Sequence, residues 1–222
     1  AERLKKHLHQ QLSEDKHPDH NYVIVGGGPT GVELAAALTA YLRDIMKRHG
    51  MRKAKPNIEL VEAAPRLVPR MTKDVSKALA KRLRRLGVKL RLNTTIQAET
   101  ANTLLLNAQY IRTHTVIWTA GVANNRFFEL NDFETAPNGK VRVDKLLQAW
   151  PAIYVIGDSA ETPYSGMAQT ALYDADFVAE NLIRHVDGQP PFAYQPKRPI
   201  YIIPAGKHWA AVAWGSFMIY GR

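Results

Sequence analysis

The feature that most constrains the fold is a glycine-rich turn between an apolar strand and a helix, in the stretch NYVIVGGGPTGVELAAAL at residues 21–38. Its residues 22–25 are apolar throughout, as in a strand buried on both faces of a parallel sheet. Gly26, Gly28 and Gly31 follow with the spacing GxGxxG. The first glycine permits a tight turn, the second leaves room for a pyrophosphate, and the third lets the helix pack closely on the strand. This pattern predicts a nucleotide-binding Rossmann-type unit.

The residues after the turn extend this unit. The helix is expected to start near Thr30, so that its N–H groups and positive dipole end face the phosphates. A second strand, NIELVEA, ends in Glu62, which lies 31 residues after Gly31 rather than the usual ~20. A polar insertion, MKRHGMRKAKP, accounts for the extra length. Glu62 is therefore the expected acid of a dinucleotide site, although other Rossmann proteins, such as methyltransferases, also fit this stretch alone.

The next segments continue the alternation of strands and helices. A helix with a buried stripe at residues 75, 79, 83 and 86 is expected to end at Gly87, and VKLRLN follows as a third strand. Short strands in TTIQAET, TLLLN and AQYIRTHTVIWTAGV predict a small meander, with residues 116–119 returning to the parallel sheet.

The second half of the chain gives weaker patterns. Residues 141–143 and 153–156 are predicted to form strands, and MAQTALYDADFVAENLIRHV an amphipathic helix. The apolar stripe expected for that helix consists of Ala171, Ala175, Val178, Leu182 and Val186. A proline-rich linker, DGQPPFAYQPKRP, then leads into new strand-like structure.

Composition excludes several function classes. The chain has no cysteine, which excludes disulfides, thiolate metal sites and a CxxC redox relay. Four of its eight histidines fall within residues 1–20, but His7 and His9 face different sides of a helix, so a mobile polar tail without metal is expected.

The net charge is +10, and the cations cluster in two places. One cluster surrounds the insertion and the other lies on the second helix. Without interleaved aromatic residues or a known motif, we expect no nucleic-acid partner. An anionic membrane surface is an alternative partner, and a solvated helix face is the favoured interpretation. The two clusters are Arg43, Lys47, Arg48, Arg52, Lys53 and Lys55, and Lys73, Lys77, Lys81, Arg82, Arg84 and Arg85.

A second glycine signature, IYVIGD, places Gly157 and Asp158 directly after a strand-like run. An acid at this position can accept hydrogen bonds from a flavin's ribityl chain. The alternative is an N-cap, which is a common use of Asp after a strand.

The motifs GGGPTGVE, VEAAPRLVP, VIWTAGV, IYVIGD and AQTA, in this order, resemble the FAD-dependent pyridine nucleotide-disulfide oxidoreductase superfamily. Within it, the chain looks most like the type II NADH dehydrogenases, which pass electrons from NADH through FAD to quinone. The resemblance covers nearly the whole chain from Asn21 onward. It implies an α/β fold: a Rossmann-like NAD(P)-binding domain with a parallel sheet and a small β-meander, plus part of a second, FAD-type α/β domain.

The resemblance also implies roles for individual residues. Gly26, Gly28, Gly31 and Glu62 would hold the adenosine half of NADH. Glu33, on the first turn of the helix, would lie near the nicotinamide, with Ala120 and Gly121 lining the same site. Gly157 and Asp158 would belong to the FAD site. Ala168 and Gln169 match the segment that meets the isoalloxazine and borders the quinone site, which makes Glu33 and Gln169 the candidate catalytic residues.

The same resemblance sets the expected organisation and partners. Residues 1–20 would be an N-terminal helical tail, 21–124 the NAD(H)-binding domain, 125–188 the returning portion of the FAD-binding domain, and 189–222 a linker and the start of a C-terminal domain. The turn for the ADP half of FAD and the membrane-binding part are expected outside this chain. The full-length protein is expected to bind NADH, FAD and quinone, to form a homodimer, and to lie on the inner face of the cell membrane. Alternatives are an NADH oxidase, a ferredoxin-reductase-type flavoprotein, or a non-catalytic NAD-sensing module.

Overall fold

The computed structural model describes residues 2–14, 19, 21–51, 55–121, 123–215 and 217–221. It divides into two compact units. Unit 1 comprises Ala1–Gly121 and Tyr201–Arg222, and unit 2 comprises Val122–Ile200. Outside the described ranges lie Arg52 and Lys53 of the first cationic cluster, and His17 and His20, which are two of the four histidines within residues 1–20.

The described residues form α-helices and short strands. The helices are α1 Glu2–His9, α2 Pro29–Arg48, α3 Lys73–Leu86, α4 Phe127–Leu130 and α5 Ala168–Val186. The strands are β1 Tyr22–Val25, β2 Ile58–Val61, β3 Val88–Arg91, β4 Ile96–Glu99, β5 Thr103–Leu106, β6 Gln109–Arg112, β7 Thr115–Trp118, β8 Gln148–Trp150, β9 Ile153–Tyr154, β10 Tyr201–Pro204, β11 Ala210–Trp214 and β12 Phe217–Gly221.

A parallel sheet with the strand order β3-β2-β1-β7 is the centre of unit 1. Tyr22 of β1 pairs with Ile58 of β2 on one side and with Thr115 of β7 on the other. Every residue of β1 and β2 is buried, because α2 and α3 and the meander cover the sheet. The predicted parallel sheet and the return of the chain through β7 are confirmed.

The helix α3 follows its sequence pattern closely. Val75, Leu79 and Leu83 are buried in the main core, and the helix ends at Gly87. Gly87 has φ 91° and donates its N–H to the Arg84 carbonyl at 3.0 Å, which is the left-handed end that glycine favours. The predicted stripe and helix end are therefore confirmed.

The strands β4, β5 and β6 form an antiparallel meander, as predicted. Leu104, Leu106 and Ile111 bury their side chains against Val23 and Val61 of the parallel sheet. The meander therefore covers the face of the sheet opposite the main core.

The C-terminal strands belong to unit 1, where β10, β11 and β12 form a second antiparallel sheet. Ile203 and Ala211 are buried in the same core as α2 and α3. Arg82 of α3 donates from Nε to the Ala205 carbonyl at 2.9 Å. This sheet is thus joined to α2 and α3 by apolar packing and by a charged hydrogen bond.

The N-terminal segment is ordered within the described residues. The helix α1 continues into a π-helical turn, Gln10–Glu14, and Leu8 is almost fully buried in the main core. His7 forms a 2.9 Å hydrogen bond through Nε2 with Oγ1 of Thr115. The expectation of a mobile polar tail is wrong for this segment, because one side of the helix carries leucines that the core buries.

Unit 2 has little regular strand structure. Residues 141–143 do not form a strand: Val141 makes isolated bridges to Thr135 and Ala160. The run at 153–156 forms only the two-residue strand β9, paired with β8 across a register shift. The strand prediction for residues 141–143 is wrong, and the one for residues 153–156 was too long, since β9 pairs with β8 at only two positions.

The helix α5 was correctly predicted, but its buried face was not. Leu182 and Val186 of the predicted apolar stripe are exposed, whereas Thr170, Asp174 and Asn181 are buried. Hydrogen-bond partners make the burial of Asp174 and Asn181 possible, since buried polar groups are tolerated when they are hydrogen-bonded. Asn181, for example, donates to and accepts from the backbone of Phe192 at 3.0 and 2.9 Å.

Candidate cofactor-binding sites

Two glycines of the turn are required by close backbone contacts. Gly26 has φ 109°, and a Cβ there would lie 2.8 Å from backbone atoms of Thr119 and Ala120. A Cβ on Gly31 would lie 1.8 Å from the Gly26 carbonyl oxygen. The start of α2 therefore packs directly on the end of β1, as the motif predicts.

Gly28 differs from these two glycines, because no atom of the described chain excludes a side chain there. It is the N-cap of α2 with φ −69°, and a Cβ there would meet no atom of the described chain within 4 Å. The helix begins one residue later at Pro29, whose missing N–H costs nothing at a helix start. The space beside Gly28 and the open N–H groups of the first turn are features that could hold an anion.

Glu62 lies beside this turn, at the end of β2. Its Oε2 accepts the Gly27 N–H at 2.6 Å, and its Oε1 accepts the Ala64 N–H at 2.8 Å. Each carboxylate oxygen keeps a second lone pair for a ligand hydroxyl. Although the insertion before β2 is long, Glu62 still lies next to the glycine turn.

Two residues that sequence reasoning missed hold the turn in shape. Thr119, after β7, donates its Oγ1–H towards the carbonyls of Val25 and Gly26 at 2.8 and 3.1 Å. Gly27 provides the N–H that Glu62 binds, and its carbonyl accepts the Val68 N–H at 2.8 Å. The sequence feature that could have identified Thr119 is its position at the carboxyl end of a strand that returns to the parallel sheet beside β1.

Glu33 was expected on the first turn of the helix, and this is wrong. The helix starts at Pro29, so Glu33 is its fifth residue and the first turn carries no acid. The side chain is half-buried, and burial raises the pKa of its carboxyl above the ordinary value of 4.5. Ala120 and Gly121 are exposed directly after β7, at the same edge of the sheet as the turn.

The raised pKa of Glu33 gives a testable pH dependence. A carboxyl whose pKa is raised on folding contributes stability below its unfolded pKa and loses it as the pH rises through the folded value. Glu33→Gln should therefore melt like wild type near pH 4 and at a higher temperature than wild type near pH 7. Melting curves across this range measure the difference, with the exposed Glu180→Gln as the control. If the melting temperatures of Glu33→Gln and wild type differ by the same amount at every pH, the raised pKa of Glu33 is contradicted.

In unit 2, Gly157 and Asp158 form a tight turn, the 3-10 helix Gly157–Ser159. Gly157 has φ 63°, and a Cβ there would lie 3.1 Å from Cβ of Ala171 in α5. The Asp158 carboxylate is exposed, and within the described residues it has no hydrogen-bonding or ionic partner. It is the second residue of the 3-10 helix and not its N-cap, so it is available to a ligand.

A buried network in α5 holds this turn. Asp174 is fully buried; its Oδ2 accepts the Gly157 N–H at 3.0 Å, and its Oδ1 accepts the Tyr194 O–H at 2.6 Å. Burial and the Asp174 carboxylate together raise the pKa of the Tyr194 hydroxyl. Thr170, one turn earlier on α5, has a buried hydroxyl without a partner among the described residues.

Ala168 and Gln169 are the first two residues of α5, and both are exposed. Gln169 does not cap its own helix. Its Oε1 instead accepts the N–H of Ile200 at 2.8 Å, which ties the start of α5 to the end of the linker. The amide –NH₂ group remains available as a donor.

The structure thus brings the predicted residues together in two groups. Gly26, Gly28, Gly31 and Glu62 meet at the carboxyl edge of the unit 1 sheet, and residues 120 and 121 follow β7 at the same edge. Gly157 and Asp158 lie against the first half of α5 in unit 2. Within the described residues, no cluster of three or more His, Asp or Glu side chains could hold a metal ion.

A glycine turn on a parallel sheet and an acid at the end of the next strand are typical of the class of dinucleotide-binding α/β proteins. The model of the pyridine nucleotide-disulphide oxidoreductase family matches residues 2–175. The chain belongs to this family, which confirms the resemblance seen in its motifs.

The curated relatives are named as type II NADH:quinone oxidoreductases. One from Staphylococcus saprophyticus is 27% identical over the whole of this chain and 58% of its own length. One from Staphylococcus epidermidis is 28% identical over 85% of this chain and 52% of its own length. The chain therefore spans about half the length of the curated relatives it matches.

Solved structures share the α/β fold. An NDH2 from Plasmodium falciparum in complex with NADH has a TM-score of 0.78 at 15% identity, covering 91% of this chain and 59% of its own. A water-forming NADH oxidase from Lactobacillus brevis bound to NADH has a TM-score of 0.66 at 22% identity, with coverages of 91% and 44%. None of the described helices has both the length and the apolar character to cross a bilayer.

Proposed function

We propose that this chain is the NADH-binding portion, with part of the FAD-binding portion, of an FAD-dependent NADH dehydrogenase that passes electrons to quinone. Family membership and the names of the curated relatives support this proposal. The observation that carries it is the carboxylate of Glu62, hydrogen-bonded to the Gly27 N–H beside the open space at Gly28. A phosphate cradle and a ribose acceptor side by side are what a dinucleotide needs.

For NADH, the residues of unit 1 fit the ligand. The space at Gly28 and the start of α2 would take the pyrophosphate, and Glu62 would accept the hydroxyls of the adenosine ribose. Glu33, Ala120 and Gly121 would line the nicotinamide end. The Glu33 carboxyl is half-buried, and burial raises its pKa, so it would offer a hydrogen-bonding group to the amide of the nicotinamide.

For FAD, the residues of unit 2 fit a polar ligand. Asp158 offers an exposed carboxylate at the Gly157 turn, and Thr170 offers a buried hydroxyl without a partner among the described residues. Bound FAD would accept the hydride, so the first half-reaction requires no acid or base from the protein. The chain's own part is to orient the cofactors and to set the electrostatics around them.

For quinone, the proposed contact is the segment at Ala168 and Gln169. The start of α5 favours negative charge through the helix dipole. Gln169 has a free –NH₂ group that can donate to a quinone carbonyl, while its Oε1 is held by Ile200. In the full-length protein, we further propose a homodimer bound to the inner face of the cell membrane, which cell fractionation and sedimentation would test.

The cofactor preference tests the NADH assignment. We expect the chain to bind NADH at least about fivefold more tightly than NADPH, because the 2′-phosphate would meet the Glu62 carboxylate, at a cost of about 1–4 kcal/mol. Calorimetric titrations of both cofactors measure the ratio. Glu62→Gln should reduce it, since the variant keeps the size of the side chain but removes its charge. Equal affinity of the unaltered chain for both cofactors would contradict the assignment.

Gln169 tests the quinone assignment in the full-length protein. Gln169→Ala should slow flavin reoxidation by quinone several-fold and leave flavin reduction by NADH near wild type, in stopped-flow traces of the two half-reactions. Gln169→Glu is the matched control, because its carboxylate can still accept the Ile200 N–H but cannot donate. Slow reoxidation in both variants supports a donor role. If reoxidation is slow in Gln169→Ala but normal in Gln169→Glu, the role of Gln169 is to accept the Ile200 N–H and hold the linker.

A further inference from the structure

A groove of about 520 Å³ lies in unit 1, away from the glycine turn, between α3 and the C-terminal antiparallel sheet. Helix α3 contributes Lys77, Lys81, Arg82 and Arg85 along one side. These cations span about 12 Å of helix, at the rise of an α-helix. The volume is within the range of small-ligand sites.

The groove is strongly basic. Asp74, at the start of α3, is the only acid among its lining residues. Among the ion pairs within the described part of the chain, none involves the four groove cations. Cations paired along a helix surface would need no further partner, whereas four unpaired cations facing one groove repel one another until an anion binds.

The opposite wall is aromatic. Trp209 and Tyr220 line it, with ring centroids 6.3 Å apart, and Tyr220 is 54% exposed. Such rings offer a surface for the apolar or aromatic body of a ligand.

Arg82 is held in place between the two walls. Its Nε donates to the Ala205 carbonyl at 2.9 Å, and its guanidinium lies 5.7 Å from the Trp209 ring centroid. Only one of its five N–H donors is used by that hydrogen bond. An arginine fixed in this way has lost its side-chain entropy before a ligand arrives, which favours binding of a planar or tetrahedral oxyanion.

We propose that this groove is a binding site for phosphate groups, separate from the dinucleotide turn. Lysine and arginine side chains would bind the phosphate oxygens, and the aromatic wall would contact the rest of the ligand. The row of cations fits an extended anion with several phosphates better than a single one. A soluble oligophosphate and the headgroup of an anionic lipid share this chemistry.

Calorimetric titration with sodium tripolyphosphate tests whether the groove binds a soluble oligophosphate. We expect one saturable site in the wild-type chain, and binding at least about tenfold weaker in the double variant Lys77→Gln/Lys81→Gln. The control, Lys73→Gln/Arg84→Gln, removes two cations from the same helix outside the groove and should bind within about twofold of wild type. Circular dichroism confirms that both variants fold.

Sedimentation with vesicles tests the lipid source. Binding to phosphatidylglycerol vesicles, but not to phosphatidylcholine vesicles, that is lost only in the groove variant would assign the site to headgroups. Saturable tripolyphosphate binding without vesicle binding would assign it to soluble ligands.

Three results would overturn the site. The first is an equal loss of binding in the groove variant and its control, which would indicate unspecific attraction. The second is displacement of tripolyphosphate by saturating NADH, which would place the anion at the glycine turn. The third is the absence of saturable binding to either probe. Each concerns the groove alone, so the NADH assignment is tested separately.

Discussion

Gly31→Ala is expected to destabilise unit 1 strongly and to abolish NADH binding. A Cβ at this position would lie 1.8 Å from the Gly26 carbonyl oxygen and 2.8 Å from Oγ1 of Thr119, so α2 would have to move away from the turn. Overpacking of this severity costs about 3 kcal/mol or more. For a chain of this size, the melting temperature should fall by about 6–12 °C. Thermal melts followed by circular dichroism measure this change.

Gly28→Ala is the matched control, because the same methyl group enters open space there. The backbone φ of −69° suits any residue, so the melting temperature should stay within about 2 °C of wild type. NADH binding should nevertheless weaken, since the methyl occupies the space proposed for the pyrophosphate. Unchanged NADH affinity in Gly28→Ala would refute that position for the phosphates. A wild-type melt of Gly31→Ala would refute the close packing of α2 on the turn.

These two glycines also illustrate why this part of the fold was predictable. Their spacing encodes a backbone geometry that few other sequences satisfy, and the buried run at residues 22–25 fixes which elements meet there. Glu62 was identified from its position directly after an apolar strand, although it lies farther along the sequence from Gly31 than such an acid usually does. The inserted residues change the length of the connection but not the strand that follows it.

The contacts that hold the site were less accessible from the sequence. Thr119 supports the turn from a strand about 90 positions away, and only the parallel pairing of β7 with β1 brings it there. Gly27 occupies a variable position of the GxGxxG motif, and it supplies the N–H that orients Glu62. Hydrogen bonds between distant segments leave no periodic signal in either segment.

The helix α5 shows the limit of hydrophobic periodicity. Its apolar stripe was assigned to the core, but the buried side is the one with Asp174 and Asn181. Hydrophobic periodicity predicts burial from the tendency of each side chain to leave water, and it takes no account of specific hydrogen-bond partners. The backbone of Phe192 and the Tyr194 hydroxyl are those partners, and both come from the linker after the helix.

The C-terminal strands were predicted only as strand-like structure. These strands are apolar at nearly every position, a pattern that does not identify the buried face, although Ile203 and Ala211 are buried and Ile202 is exposed. The pattern does not say which surface covers that face. The cover is α2 and α3, and the basic groove exists only because of this packing.

Asp174→Ala is expected to destabilise unit 2 and to loosen the Gly157 turn. The substitution leaves two donors without an acceptor, the Gly157 N–H and the Tyr194 O–H. Losing the partners of buried donors costs about 3 kcal/mol in total. The amide of Gly157 should therefore exchange its hydrogen much faster, which hydrogen–deuterium exchange of the peptide covering residues 153–166 measures.

Asp174→Asn separates geometry from charge. An asparagine can accept the Gly157 N–H through Oδ1 and donate through its –NH₂ group to the Tyr194 oxygen, so it should recover most of the protection. The exposed neighbour Asp176→Ala should exchange like wild type. If Asp174→Ala leaves the exchange of the 153–166 peptide unchanged, this carboxylate does not hold the turn. If Asp174→Asn is as damaging as Asp174→Ala, the negative charge of Asp174 is required to hold the Gly157 turn, which carries the neighbouring Asp158.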